Sequence, residues 1–172
     1  MVNLGGDTSV SSTYPMGDDL RTLIRRYPRL FHGAAPPAWS RVEPGWYPIV
    51  DNLCAAIDQL LDDDQAAAFY VAQIKEKLGG LRFYFHFRWP EQRADCMDQN
   101  AGIAGSPQQA LAEPSAEERD LRERVKAVVT SAQEACAVTC AKCGSPGRLR
   151  RSDRGLDTLC VKHAMEFGAT GL

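Results

Sequence analysis

Residues 140–163 read CAKCGSPGRLRRSDRGLDTLCVKH and decide the C-terminal part of the fold. Cys140 and Cys143 form a C-x2-C pair, and Cys160 and His163 form a C-x2-H pair after sixteen intervening residues. Each two-residue spacing lets both members of a pair turn toward the same ion, and two such pairs can close one tetrahedral site. The spacing therefore predicts a structural zinc ion bound by these four residues.

The residues between the ligand pairs predict the local structure of this site. Gly144 and the Ser-Pro-Gly stretch after it are typical of the tight turn of a zinc knuckle. A hairpin is expected over residues 147–159, with its turn at 153–155, and a short helix over residues 160–167 that ends at Gly168. Knuckle, hairpin and helix follow one another in the order of a treble clef, so we expect a treble-clef-like zinc module over residues 139–172.

The six cysteines leave two other interpretations open, disulfide bonds or buried free thiols. Cys54, Cys96 and Cys136 are scattered without a pairing pattern, and Cys54 and Cys136 fall on the apolar faces of predicted helices, where they would be small core residues. Cys136 also lies close enough to Cys140 in sequence to be a spare ligand. Four protein ligands leave no open coordination position, which argues against metal catalysis and for a stabilising ion.

The body of the chain shows alternating helical and strand patterns. Apolar positions at three- and four-residue spacing predict helices over residues 19–27, 46–61 and 115–138, of which 46–61 is the strongest. Strands are predicted over 69–76 and 81–88, joined by a turn containing Gly79-Gly80. The acidic run at 62–64 is interpreted as a solvated loop.

Together these elements predict an α+β fold in which a small antiparallel β-hairpin is covered by helices and carries a C-terminal treble-clef-like zinc module. The expected organisation is a flexible tail at 1–17, a body at 18–138 containing a long loop at 89–114, and the zinc module at 139–172.

The second strand alternates two kinds of side chain. Leu81, Phe83, Phe85 and Phe87 share one face, and the residues between them are basic or aromatic. If the helix at 46–61 covers the phenylalanine face, the other face can receive the acidic or flat groups of a partner. With the basic residues of the C-terminal hairpin, the candidate partner-binding residues are Trp46, Tyr47, Lys75, Lys77, Arg82, Tyr84, His86, Arg148, Arg150 and Arg151.

The charges are divided unevenly along the 172-residue chain, whose net charge is −2. Residues 1–139 carry 14 basic and 19 acidic groups, whereas residues 140–172 carry 6 basic and 3 acidic groups. A basic zinc module can meet phosphates or an acidic protein surface, although a hairpin that is simply solvated has the same composition.

The chain shows no signal for secretion or membrane insertion. Residues 1–16 lack a basic segment followed by an apolar run, and no stretch approaches the roughly eighteen apolar residues of a membrane helix. With cysteines in metal-ligand spacing, this favours a reducing compartment, most simply a bacterial cytoplasm.

Three motifs carry a resemblance to known proteins. Residues 45–49 read GWYPI, residues 75–84 read KEKLGGLRFY, and the C-x2-C and C-x2-H pairs follow. In this order they resemble a family of small, mostly uncharacterised bacterial and phage proteins with a GWxPI helix start, a KEKxGGLRFY hairpin and a C-terminal zinc knuckle. The resemblance covers residues 44–88 and 120–165. Some members of this family resemble small acidic cytoplasmic proteins that neutralise toxins or host defence factors, and the resemblance implies the same for this chain.

Catalytic patterns are missing from the sequence. It contains no phosphate-cradling glycine loop, no Ser-His-Asp or Cys-His order, and no histidine in the hairpin after the knuckle, where treble-clef nucleases carry one. Two hypotheses remain. The chain is a non-catalytic module that binds and blocks a partner protein, as an immunity or anti-defence protein would, or it binds nucleic acid through its basic C-terminal hairpin.

Overall fold

The computed structural model describes residues 20–32, 40–89, 115–153 and 155–171. The predicted tail at 1–17, Cys96 and nearly all of the predicted loop at 89–114 lie outside these residues. The described elements, in chain order, are α1 (Leu20–Arg26), α2 (Pro28–Phe31), a 3-10 turn (Pro44–Trp46), α3 (Tyr47–Leu60), α4 (Asp63–Ala68), β1 (Phe69–Lys77), β2 (Gly80–Phe87), α5 (Ala116–Ala137), β3 (Arg148–Ser152), β4 (Gly155–Leu159), α6 (Val161–Glu166) and β5 (Thr170–Gly171).

The predicted long helices are confirmed as α3 and α5. Pro48 occupies the first turn of α3, where its missing N–H group costs no hydrogen bond. A capping box starts α5, because the Ser115 hydroxyl accepts from the Glu118 amide at 3.1 Å and the Ser115 amide donates to the Glu118 carboxylate at 2.7 Å. Both helices therefore begin where local chemistry favours a helix start.

The acidic run at 62–64 was wrongly interpreted as a loop. Asp62 caps α4, since its side chain accepts from the Gln65 amide at 2.8 Å and its own amide donates to the Gln65 side chain at 3.2 Å. Asp63 and Asp64 then lie in the first turn, where negative charge interacts favourably with the helix dipole. The carboxylates that disfavour the end of α3 instead favour the start of the next helix.

Strands β1 and β2 form an antiparallel hairpin with a tight two-residue turn and a shift in register. Leu78 and Gly79 have φ angles of 56° and 77°, the left-handed values of a two-residue type I′ turn. The register also shifts between Val71 and Gln73, which places one extra residue in β1. The turn fixes the register at one end, and the bulge changes which β1 residues share a face.

The phenylalanine face of the hairpin is buried in the main hydrophobic core, as predicted. Helix α5 packs against β2, and α3 packs mainly against α5 while contributing side chains to the same core. The shorter helices α2 and α4 contact β1 and add residues to the same core. Cover by the helix at 46–61 was only a condition of the sequence analysis, and the alternation pattern does not say which helix lies on this face.

The C-terminal module contains the predicted hairpin and helix. Strand β3 pairs with β4, and α6 follows, which confirms the α+β class with a small C-terminal module. The two-residue strand β5, which the sequence did not indicate, returns after Gly168 (φ 59°) and pairs with β3 opposite Arg150 and Arg151. Strand β3 is therefore the central strand of a three-stranded sheet, between β4 and β5.

Candidate metal centre

The four predicted ligands come together in space. The ligand atoms of Cys140, Cys143, Cys160 and His163 all lie within 4.8 Å of one another. The Cys143 and Cys160 sulfurs are 3.8 Å apart, and His163 Nδ1 lies 3.5 Å from the Cys140 sulfur and 3.3 Å from the Cys160 sulfur. No disulfide joins these cysteines, and Cys136 lies on α5 outside the cluster.

These separations fit one tetrahedral ion. With Zn–S near 2.3 Å and Zn–N near 2.05 Å, a tetrahedron requires sulfur–sulfur edges of about 3.8 Å and sulfur–nitrogen edges of about 3.5 Å. The three separations given above match these edges to within a few tenths of an ångström, and all four ligand atoms lie within 4.8 Å of one another. The cluster can therefore hold a metal ion, with three sulfurs and one nitrogen as the complete ligand set.

Local backbone structure positions each pair. At the knuckle, the Gly144 amide donates to the Cys140 carbonyl at 2.9 Å, the Cys140 amide donates to the Ser145 carbonyl at 2.7 Å, and Gly144 has a φ of 77°. Cys160 is the N-cap residue of α6, so His163 lies in the first turn of that helix on the same side. A tight turn and a helix start therefore present two ligands each.

Hydrogen bonds around the knuckle favour the thiolate of Cys143. Burial opposes ionisation, but the side chain and backbone of Ser145, followed by the Cys140 and Cys160 thiols, outweigh it and lower the pKa of Cys143 to about 6. Burial raises the pKa of Cys140, although the amides of Cys160, Lys142 and Cys143 partly offset that effect. The same amides would stabilise a metal-bound thiolate.

The second nitrogen of His163 has an acidic neighbour. Its Nε2 lies 3.8 Å from a carboxylate oxygen of Glu166, one helical turn along α6, and its ring stacks on Phe167 at 6.1 Å between centroids. An outer carboxylate and a packed ring favour the orientation in which Nδ1 faces the sulfurs.

The knuckle docks directly on the start of α3. The Gly45 amide donates to the Ala141 carbonyl at 2.8 Å, and Trp46 Nε1 donates to the Thr139 carbonyl at 2.7 Å. A Cβ atom at Gly45 would lie 2.1 Å from the Cys140 carbonyl oxygen, so only glycine permits this approach. The glycine and tryptophan of the GWxPI motif therefore hold the knuckle against the body.

The turn of the β1–β2 hairpin docks on the same module. The Thr158 hydroxyl donates to the Gly79 carbonyl at 2.7 Å, and a Cβ at Gly79 would lie 2.2 Å from the Leu149 side chain. Thr158 is buried and lies two residues before the ligand Cys160. The glycine turn of the KEKxGGLRFY motif is thus the second attachment point of the C-terminal module.

A buried carboxylate strengthens the first attachment. Glu43 is 6% exposed, and it accepts from Lys142 of the knuckle at 2.7 Å and from Arg41 at 2.6 Å. Lys142, one of the basic residues of the 140–172 segment, therefore neutralises a charge of the body. The 139–172 segment is bound to the body through both motifs, in addition to its own ligands.

Three of the candidate partner-binding residues are buried. Trp46 and Tyr47 are 1% and 6% exposed and belong to the core, and Arg150 is 7% exposed and donates to the Leu159 carbonyl at 3.3 Å. Their burial leaves them little surface to offer a partner, and the sequence motif gave no indication that the knuckle covers the start of α3 or that β5 flanks β3. Cys54 and Cys136, by contrast, are fully buried as predicted.

The other candidates lie on two surfaces. Arg148 and Arg151 are exposed on β3, and Lys77 is exposed at the end of β1. Lys75, Arg82, Tyr84 and His86 lie together on the solvent side of the β1–β2 hairpin. Whether any of them binds a partner stays a prediction.

Sequence reasoning missed Tyr70 on this same side. Strict alternation places Tyr70 opposite Lys75, but the extra residue between Val71 and Gln73 returns both to one face. Tyr70 pairs with His86, with ring centroids 5.3 Å apart, and the Arg88 guanidinium lies 4.4 Å from its ring. Only an irregular spacing of apolar residues in β1 could have indicated the bulge.

Searches against protein-family models, curated proteins and solved structures found no significant match to this chain. The resemblance to bacterial and phage proteins therefore stays a prediction that its three motifs carry. Among the described residues, no helix has the length and apolar character needed to cross a membrane.

Proposed function

We propose that the protein is a non-catalytic binding module stabilised by a structural zinc ion. The observation that carries this proposal is the docking of the Cys/His cluster on both Gly45 and Gly79. Three thiolates and an imidazole in tetrahedral geometry suit zinc, and they fill its coordination sphere. The ion then joins the start of α3 to the turn of the β1–β2 hairpin.

In this proposal zinc contributes folding free energy and shapes the binding surface. Structural zinc sites in small modules contribute on the order of 10 kcal/mol. The module's own buried apolar cluster is small, with Cys140, Leu159 and Ala164 at its centre. Without the ion, both attachment points lose their support, and the hairpin loses the contacts that hold its turn.

The predicted partner is a protein, and an immunity or anti-defence protein that blocks its target is the specific form of this hypothesis. The net charge of −2 and the resemblance to bacterial and phage proteins support it. The acidic body, in which acidic groups outnumber basic ones, is the surface that blocks the partner in this proposal. A cytoplasmic location is consistent with unoxidised metal ligands.

The alternative is nucleic-acid binding through the basic C-terminal hairpin. The exposed Arg148 and Arg151 favour it, but Arg150 and Lys142 are engaged within the protein. The tail therefore offers fewer free cations than its composition indicates.

Metal analysis tests the zinc assignment. We expect one zinc per chain by elemental analysis of the purified protein, and loss of that zinc in Cys143→Ser. The matched control is Cys136→Ala, which removes a nearby thiol outside the cluster and should keep the metal. Equal zinc content in both variants, or none in the unmodified protein, would overturn the assignment.

Partner capture tests the binding function. A tagged protein is used as bait with and without nuclease, and the zinc-depleted protein is the control. A protein recovered in near-equal amount despite nuclease supports a protein partner, and recovery that nuclease abolishes supports nucleic acid. If zinc depletion leaves both recovery and protease resistance unchanged, the proposed role of zinc is wrong.

A further inference from the structure

We propose that the solvent side of the β1–β2 hairpin binds single-stranded nucleic acid, by stacking bases on its aromatic rings and pairing phosphates with its cations. We call this surface the outer face and define it by Tyr70, Lys75, Arg82, Tyr84, His86 and Arg88. This inference rests on the proposed zinc-stabilised module and goes beyond its proposed protein partner, because it assigns a nucleic-acid ligand to a separate surface.

The outer face has a charge opposite to that of the whole chain. Lys75, Arg82 and Arg88 give it three permanent positive charges, although the chain as a whole carries −2. Among the described residues, no aspartate or glutamate of β1 or β2 points outward, since Glu76 pairs with Leu81 and its carboxylate accepts from the Gly79 amide. The complementary partner is therefore an anion.

The aromatic rings of this face are accessible. Tyr84 is 45% exposed, His86 is exposed and Tyr70 is half-buried. Large exposed aromatic side chains on a sheet face have no role in the core, which this hairpin builds from its opposite side. They offer flat surfaces that any base can stack on, whatever its identity.

Cations and rings alternate on the outer face. The Arg88 guanidinium lies 4.4 Å from the Tyr70 ring centroid, and the Lys75 ammonium lies 5.7 Å from that of Tyr84. Each ring therefore has a positive group beside it, so a stacked base would place its phosphate near a cation. A positively charged, aromatic sheet surface is the arrangement by which proteins bind single strands without reading sequence.

A duplex fits this surface less well. The outer face is an open two-stranded sheet with no helix or loop among the described residues to enter a groove. Paired bases in a duplex are stacked on one another and cannot reach the tyrosine rings. The binding should therefore favour single strands over duplex of equal charge.

Fluorescence anisotropy of labelled oligonucleotides tests the inference on the full-length, zinc-loaded protein. The probes are oligo-dT and oligo-U of about ten nucleotides, a duplex of the same length and a polyglutamate peptide of matched charge. We expect both single strands to bind more tightly than the duplex and the peptide. With three phosphate contacts, raising salt from 50 to 200 mM should weaken binding roughly 20-fold.

Single substitutions separate stacking from charge. Tyr84→Ser should weaken binding by about five-fold to a hundred-fold, whereas Tyr84→Phe, which keeps the ring, should bind as the unmodified protein does. Arg82→Gln should weaken binding and reduce the salt slope, and Arg151→Gln, which removes the same charge from β3, should change neither. Circular dichroism and zinc content establish that each variant is folded.

The outcomes are distinct from those of the zinc and partner tests. Equal binding of polyglutamate, or equal loss in Tyr84→Phe and Tyr84→Ser, would overturn the inference in favour of an acidic protein partner. Stronger loss in Arg151→Gln than in Arg82→Gln would move the site to the C-terminal hairpin. No binding by a zinc-loaded, folded protein would refute this inference and leave the proposed zinc-stabilised module standing.

Discussion

Replacing Gly45 with alanine tests the attachment of the zinc module to the body through a residue that is not a ligand. The new methyl group would lie 2.1 Å from the Cys140 carbonyl oxygen, 2.4 Å from the Gly144 amide nitrogen and 2.8 Å from the Cys143 amide nitrogen. These are backbone atoms of the knuckle, which cannot rotate away as a side chain can. The knuckle and the start of α3 must therefore separate.

The expected loss of stability follows from the contacts that this separation disturbs. Overpacking costs about 1–3 kcal/mol, and contact with rigid backbone favours the upper end of that range. Separation also lengthens the hydrogen bonds from Gly45 to Ala141 and from Trp46 to Thr139, now 2.8 and 2.7 Å, each contributing about 1 kcal/mol. We expect the free energy of unfolding to fall by about 3–5 kcal/mol.

The zinc affinity of Gly45→Ala should fall together with its free energy of unfolding, because metal binding and folding of the module are coupled. A loss of about 3 kcal/mol corresponds to an affinity lower by on the order of 100-fold. Urea unfolding followed by circular dichroism measures the free energy of unfolding, and competition with a chromophoric chelator measures the zinc affinity. Gly171→Ala is the matched control, since a Cβ there meets nothing within 4 Å. An unfolding free energy within about 0.5 kcal/mol of the unmodified protein, with unchanged zinc affinity, would refute this reasoning.

Three further predictions concern the turn, the thiols and the response to alkali. Leu78→Asn should raise the free energy of unfolding by about 1 kcal/mol in urea titrations, because asparagine tolerates the φ of 56° and the Leu78 side chain is already 61% exposed. A decrease in the free energy of unfolding would show that the leucine packs favourably. In the metal-free protein at neutral pH, iodoacetamide should label Cys143 far faster than Cys54, because hydrogen bonds lower the pKa of Cys143 and burial raises the pKa of Cys54. If mass spectrometry shows the reverse order of labelling, the assigned geometry is wrong. Burial, then the hydrogen bond to Asp51, raises the pKa of Tyr27 from 10.0 to about 12, so the folded state favours the neutral phenol. This stabilisation is complete below pH 10 and is lost as pH rises from 10 toward 12. In urea titrations Tyr27→Phe should lack that part of the fall in unfolding free energy, and an identical fall would exclude Tyr27 as its source.

The parts of the fold that depend on neighbours in sequence were predicted well. The ligand spacing predicted the cluster of Cys140, Cys143, Cys160 and His163, because a two-residue separation in a turn or helix start already brings two side chains to one side. The capping residue Ser115 and the alternation in β2 likewise act within a few residues. Local geometry was sufficient in each case.

The errors arose where two distant segments meet. Trp46 and Tyr47 were candidate partner-binding residues, yet the knuckle from almost a hundred residues later covers this part of the chain. Arg150 read as a free cation, yet β5 pairs beside it. A residue's exposure depends on what packs over it, and its own neighbours in sequence do not contain that information.

The sequence by itself therefore determined the two long helices, the two hairpins, the alternation in β2 and the four residues of the Cys/His cluster, since each depends on short-range periodicity or spacing. Only the tertiary structure decided that α5 covers the hairpin, that Gly45 and Gly79 receive the zinc module, and that the bulge in β1 places Tyr70 beside His86. The physical reason is that packing partners are selected by shape and burial across the whole chain, whereas helices, turns and ligand pairs form from a few consecutive residues.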